Sequence, residues 1–139
     1  MNARVAAAAP IHAHLVPDWE VQAFKIRFFG IDGMPSRHGV ARAIATHAKL
    51  ETLAFEHVSL SNGGMYLAPA LPCGTILQWR DGETVRSCSA MAAGIRASLI
   101  ELDMMARENA DYHYAHQYMR LVDFAEQHLE RKFILDRAS

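Results

Sequence analysis

The run Leu60-Ser61-Asn62-Gly63-Gly64-Met65-Tyr66-Leu67-Ala68-Pro69 sets a turn-forming Asn-Gly-Gly between two stretches in which apolar residues alternate. Asn and Gly tolerate the positive φ that tight hairpin turns require, and period-two alternation on either side is the pattern of strands with one buried face. The run therefore commits the middle of the chain to a β-hairpin. With either Asn62-Gly63 or Gly63-Gly64 at the centre of the turn, the registers differ by two residues, so Val58 and Leu60 are expected to share a face with Met65 and Leu67. His57, Ser59, Tyr66 and Ala68 are expected on the opposite, wetter face. Pro69 has no backbone donor and is expected to end the second strand.

The flanks read as helices and a second hairpin. Ile11 to Gly30 mixes apolar and polar residues and is expected to form a short strand or strapping segment. Ser36 can N-cap a helix carrying Val40, Ala43, Ile44 and Ala48 at helical spacing and ending near Lys49. Thr75 to Trp79 and Thr84 to Cys88 form the second hairpin, joined through Arg80-Asp81-Gly82-Glu83 at a solvated tip where Arg80 can pair with Glu83. Ser89 N-caps a central helix with Ala92, Ile95, Leu99, Leu102 and Ala106 in one stripe, widened by Ile100 and Met104. Gly94 within it predicts close packing against another backbone. Asp111 can cap a last helix whose apolar face is Tyr114, Tyr118, Leu121, Val122, Ala125 and Leu129, with Arg120, Asp123 and Glu126 mostly outside it. The expected class is α+β, a small antiparallel sheet of two hairpins packed against about three or four α-helices.

Charge narrows the functions such a domain can serve. The 139 residues suit one domain, expected over 15–139 behind a flexible tail at 1–14, and Lys plus Arg (14) nearly balance Asp plus Glu (15) for a net −1. A basic face or run for direct nucleic-acid binding is not visible. Imitation of DNA would need dense negative charge, and the chain is too neutral for it. Cys73 and Cys88 supply neither a zinc pattern nor a disulfide framework and are expected as reduced, buried thiols of a cytoplasmic protein. The apolar part of Met1 to Pro10 is too short for a signal peptide, and no stretch of about 18 apolar residues exists to enter a membrane.

Candidate chemistry is sparse. His113 and His116 stand three apart on a predicted helix and could share a face, but no third ligand accompanies them in a recognisable metal motif. A small metal-dependent hydrolase built on this pair is the enzymatic alternative. G-x-S-x-G is absent, and Gly63-Gly64 lacks the downstream lysine of a phosphate loop. Phe24, Phe28, Phe29, Tyr112, Tyr114 and Tyr118 are expected in the core, and Arg27, Arg37 and Arg42 on a solvated face. The residues thus assign no catalytic, cofactor-binding or metal role.

Leu60 to Pro69 resembles the L-S-N-G-G-x-Y-x-A-P signature of the ArdB/KlcA antirestriction family. Ser89-Ala90-Met91-Ala92-Ala93-Gly94-Ile95 is similar to that family's S-A-x-A-A-G-I helix start, and Tyr118, Leu121, Asp123, Ala125 and His128 continue the likeness. The N-terminal third departs from it, with Arg27-Phe28-Phe29-Gly30 where the family has R-H-F-G. His128-Leu129-Glu130 replaces the family's H-P-E, so the last helix is expected to continue toward Phe133. The resemblance implies a non-enzymatic protein of a mobile genetic element that inhibits host Type I restriction-modification by protein interaction. Its partner would be a host restriction or other defence complex, and a regulatory or scaffold role without antirestriction activity is the variant reading. Asn62, Gly63, Gly64 and Tyr66 are then motif residues with a structural turn role. Arg80, Asp81, Glu83, Arg27 and Arg37 are candidates for the partner surface.

Overall fold

Both hairpins form, but in separate sheets. The computed structural model describes residues 9–29, 34–51, 54–109 and 112–136, with backbone alone at 28, 29 and 34–37. Strands β2 (Phe55–Leu60) and β3 (Met65–Pro69) pair antiparallel, and β1 (Ala13–Leu15) adds to the far side of β2. Strands β4 (Ile76–Asp81) and β5 (Thr84–Ser89) make a sheet of their own. The described helices are α1 (Val21–Phe29), α2 (Met34–Ala48), α3 (Ala90–Glu108), α4 (His113–Glu126) and α5 (Arg131–Leu135). The α+β class stands, with the hairpins divided between two sheets and five α-helices among the described residues.

The face assignment of the first hairpin is corrected by its loop. Leu60 N donates to Gly64 O at 2.8 Å and Gly63 N to Leu60 O at 3.0 Å, so three residues, Ser61-Asn62-Gly63, make the turn. Gly63 takes the left-handed position at φ 87°. Val58 stands opposite Tyr66, Ser59 opposite Met65 and His57 opposite Leu67. A loop of odd length moves the register by an odd number of residues from either two-residue turn, and an odd shift exchanges the faces. Val58 and Leu60 thus lie with Tyr66 and Ala68, while Met65 and Leu67 lie with His57 and Ser59. No wet face remains on β3, because all five of its residues are buried.

The N-terminal boundary also moves. Ala13 and His14, expected in the tail, pair with Leu60 and Ser59. Ahead of them, Ile11 N donates to Gln127 Oε1 at 2.8 Å, and Gln127 Nε2 donates to Ala9 O at 3.2 Å. Residues 1–8 of the expected tail lie outside the described residues. The segment expected to be a strand or strap holds β1 and then helix α1, whose Phe24 is 1% exposed. Helix α2 begins at Met34, two residues ahead of the expected Ser36 cap, and stops at Lys49, which adopts φ 54°.

Helix α3 is central. Ser89 Oγ accepts from Ala92 N at 3.0 Å as the expected N-cap, and every residue from Ala92 to Leu99 is buried. A Cβ on Gly94 would fall on Leu67 O and Ala68 Cα, so the expected close approach is to β3. One turn on, Ser98 Oγ accepts from Leu67 N at 3.1 Å and donates to Leu67 O at 3.3 Å. The buried stripe widens toward Ala93, Ala97 and Glu101 and away from Ile100 and Met104, which are exposed. Gly39 of α2 meets α3 at Glu101, whose carboxyl group occupies the space a Cβ would take.

Helix α4 packs Tyr114, Leu121 and Ala125 inward as its spacing predicts, together with Gln117 and Phe124, which the expected face did not include. Its expected cap, Asp111, lies outside the described residues. Tyr112, just ahead of the helix, is exposed instead of in the core; Leu129 is exposed at 97% because the helix stops at Glu126 and does not run on toward Phe133. A turn at His128-Leu129-Glu130 intervenes, with His128 Nδ1 accepting from Glu130 N at 3.0 Å and Glu130 accepting from Ser89 N and Oγ. Of the two thiols, Cys88 is buried and Cys73 is exposed, contrary to the expectation that both are inside.

Asp81, expected at a solvated tip, is enclosed. Its side chain is 9% exposed and lies 3.1 Å from Arg96 Nη2 and 3.4 Å from Arg86 Nη2. Trp79 Nε1 donates to Asp81 Oδ1 at 3.2 Å, and His47 stacks on the Trp79 ring at 4.8 Å. Arg96 also donates to the carbonyls of Phe133 and Asp136, while Arg86 pairs with the Asp136 carboxylate at 2.9 Å. The cluster fastens α5 to the second hairpin. Arg80 stands opposite Val85, so the expected Arg80–Glu83 pair gives way to a two-residue turn at Gly82-Glu83 with Gly82 at φ 59°.

Asp81→Ala leaves the enclosed Arg96 without its counter-charge and is expected to lower the unfolding free energy by about 3–5 kcal/mol in urea denaturation. Glu83→Ala at the exposed turn should leave it unchanged, and equal effects of the two would refute the enclosure of Asp81. Burial raises the Glu101 carboxyl from 4.5 to about 7, opposed by Arg42 and assisted by Glu108. The folded state holds this proton more tightly than the unfolded one, so the associated stability is complete below about pH 4.5 and is lost as pH rises through 7. Relative to Glu101→Gln, the protein should lose unfolding free energy between pH 5 and pH 8. An unchanged difference at the two pH values would refute it.

Candidate functional site

The Leu60 to Pro69 run builds a turn that docks on α4. Asn62 Oδ1 accepts from Gly64 N at 2.9 Å, and Asn62 Nδ2 donates to the backbone carbonyl of Arg120 at 2.9 Å. Asparagine suits both tasks, because one amide carries an acceptor for the turn and a donor for the helix. A Cβ on Gly64 would stand 3.0 Å from Arg120 Cβ and 3.2 Å from Leu60 Cδ1, so glycine sets the closeness of the docking. Ser61 exchanges two bonds with His12, its N–H donating to His12 O and its Oγ accepting from His12 N, both at 2.9 Å. Tyr66 is 1% exposed and stacks on Phe124 at 5.9 Å. Burial, and then Glu56, push its hydroxyl up to about 12, so it stays neutral.

Beside this turn lies a cleft of about 540 Å³, within the size range of ligand sites. Helix α1 contributes Arg27, α4 contributes His113, Gln117 and Arg120, and the hairpin contributes Ser59 to Ser61 and Gly63 to Met65. The three residues of α4 are spaced by four and three, which brings them to one helix face. Gln117 Nε2 donates to Gly63 O at 3.3 Å, while the buried Oε1 has no partner among the described residues. Arg27 and Arg120 are exposed. Among the described residues no carboxylate lines the cleft. Its chemistry is that of a receptor for acceptors and negative charge, with one buried acceptor of its own.

The structure thus distributes the expected site residues. It brings Gly63 and Gly64 together with Arg27 in the cleft wall, with Asn62 behind them tying the turn to Arg120. Arg80 and Glu83 are exposed on the other sheet, and Asp81 is taken up by the buried cluster. The Arg37 side chain lies outside the described residues. His113 opens to the cleft, whereas its expected partner His116 stacks on Tyr112 at 6.4 Å. Among the described residues, no group of three or more His, Cys, Asp or Glu is placed to hold a metal ion. Gln117 and Arg120 are the cleft residues that sequence reasoning missed; their spacing from His113 is the signal that could have found them. A wider depression of about 620 Å³ lies along α5 beside Arg131 and Lys132, but its Arg86 and Asp136 are already paired to each other.

A family model described as antirestriction protein matches residues 51–138. Comparison with the curated proteins finds no match. Among solved structures, one described as that of the KlcA and ArdB proteins is similar with a TM-score of 0.81 and 28% identity, covering 96% of each chain. Those proteins are described as showing a novel fold and antirestriction activity against Type I DNA restriction systems in vivo but not in vitro. The matched segment runs from β2 through α5 and contains the motif turn, the central helix and the α4 face of the cleft. The chain belongs to the antirestriction protein family.

Proposed function

We propose that this protein, carried by a mobile genetic element, inhibits a host Type I restriction-modification system inside the cell by contact with a protein of that system. The observation that carries this reading is the likeness to the KlcA and ArdB structure over 96% of both chains. Charge supports contact with protein over imitation of DNA. A duplex presents about one negative charge per 1.7 Å of axis, whereas this chain carries a net −1. Support for a non-enzymatic mechanism comes from the use to which the chemically capable groups are put. Asp81 is held by two arginines, Ser89 and Ser98 bond backbone, and Cys88 is pushed up to about 11, chiefly by burial. Among the described residues no helix is long and apolar enough to cross a membrane.

Unmodified phage plated on a Type I restricting host should regain plating efficiency when the protein is expressed, and modified phage should plate alike with and without it. Equal restriction of unmodified phage in the presence and absence of the protein would overturn the reading.

A further inference from the structure

The cleft beside the motif turn carries charge that none of the described residues neutralises. Among the described residues neither Arg27 nor Arg120 takes part in an ion pair, although Arg86, Arg96 and Arg107 all do. Among the described residues no Asp or Glu lines the cleft, so none of them sets a counter-charge beside the two guanidinium groups. At the same place Gln117, 2% exposed, buries an amide oxygen with no hydrogen-bond partner among the described residues. A buried acceptor left unmade is costly, and native proteins retain few of them. The other half of the amide is committed to Gly63 O, so rotating the group would only exchange one unmet acceptor for a clash of two oxygens.

We propose that this cleft binds an acidic peptide segment of the partner protein, its carboxylates meeting Arg27 and Arg120 and one of its backbone N–H groups donating to Gln117 Oε1. The inference rests on the proposed function for the partner being a protein, and adds where it binds and by what chemistry. A simple anion would neutralise the arginines and leave Gln117 unmet. A phosphodiester backbone offers acceptors alone, and the chain has no basic run to follow one. A peptide supplies both kinds of group at adjacent atoms, and arginine's planar fork matches a carboxylate. Both guanidinium groups are exposed, and Arg120 holds the motif turn through its backbone carbonyl, so replacing either side chain leaves the fold's own bonds in place.

The test titrates the isotope-labelled full chain with a blocked hexaglutamate peptide, and in parallel with inorganic phosphate and a single-stranded oligothymidylate, following amide resonances. Saturable shifts at Gly63, Gly64 and the Gln117 side-chain amide are expected with the peptide. Arg27→Ala with Arg120→Ala should weaken binding by roughly tenfold or more. Gln117→Met, of similar volume, should weaken the peptide and leave any phosphate binding unchanged. Absent cleft shifts, shifts that persist in the double variant, or tighter binding of the oligothymidylate would each overturn the proposal. The same double variant in the plating assay separates the two readings. If the parent protein relieves restriction and the variant relieves it equally, the cleft proposal fails and the proposed function stands. If the peptide binds in an arginine-dependent way and the parent protein relieves nothing, the function fails and the cleft site stands.

Discussion

The backbone of β3 is held from one side by β2 and from the other by helix α3. Leu67 stands opposite His57 at a position where its N–H and C=O point away from β2, and both are met by the single hydroxyl of Ser98. The contact requires the helix backbone to approach closely, which the missing Cβ of Gly94 permits. A helix thereby closes an edge that another strand would otherwise complete. For this reason the second hairpin cannot add to β3 and forms its own two-stranded sheet, and for the same reason β3 is buried on both faces.

Burial on both faces then determines what the motif can do. Tyr66 and Leu67 lie within the core, so the exposed part of the Leu60 to Pro69 run is its turn, and the turn is anchored through Asn62 to α4. The cleft exists because this anchor holds the turn beside the His113, Gln117 and Arg120 face, with Arg27 of α1 closing the opposite side. The second hairpin is fixed at its other end by the Arg96 and Asp81 cluster, where two arginine planes lie over the Phe133 ring at 5.0 and 5.3 Å. Each hairpin is thus joined to a different C-terminal helix, and α3 lies between them.

The legible parts of the fold were those coded within a few residues. Ser89 as an N-cap, Gly94 as a point of close approach and the inward face of α4 all follow from neighbours in sequence. The faces of β2 and β3 were not legible, because a three-residue loop and a two-residue loop use the same Asn-Gly-Gly and differ by one step of register. Asp81 looked like a turn residue because the groups that enclose it lie far along the chain, at Arg96 in α3, 15 residues on, and at His47 in α2. In the cleft, Arg27 and the motif glycines were visible as candidates, whereas Arg120 belonged to a helix flank that spacing marked as polar and Gln117 is a buried polar residue that the apolar pattern did not single out.

The sequence by itself determined the class, the two hairpins, the central helix and the family resemblance, since each depends on local propensity, short-range periodicity or a contiguous motif. Tertiary structure alone decided that the hairpins part into two sheets, that Asp81 is enclosed, and that residues from α1, the motif turn and α4 form one cleft. Those outcomes depend on pairings between groups far apart in the chain, whose partners are chosen by packing geometry and the need to satisfy buried polar atoms.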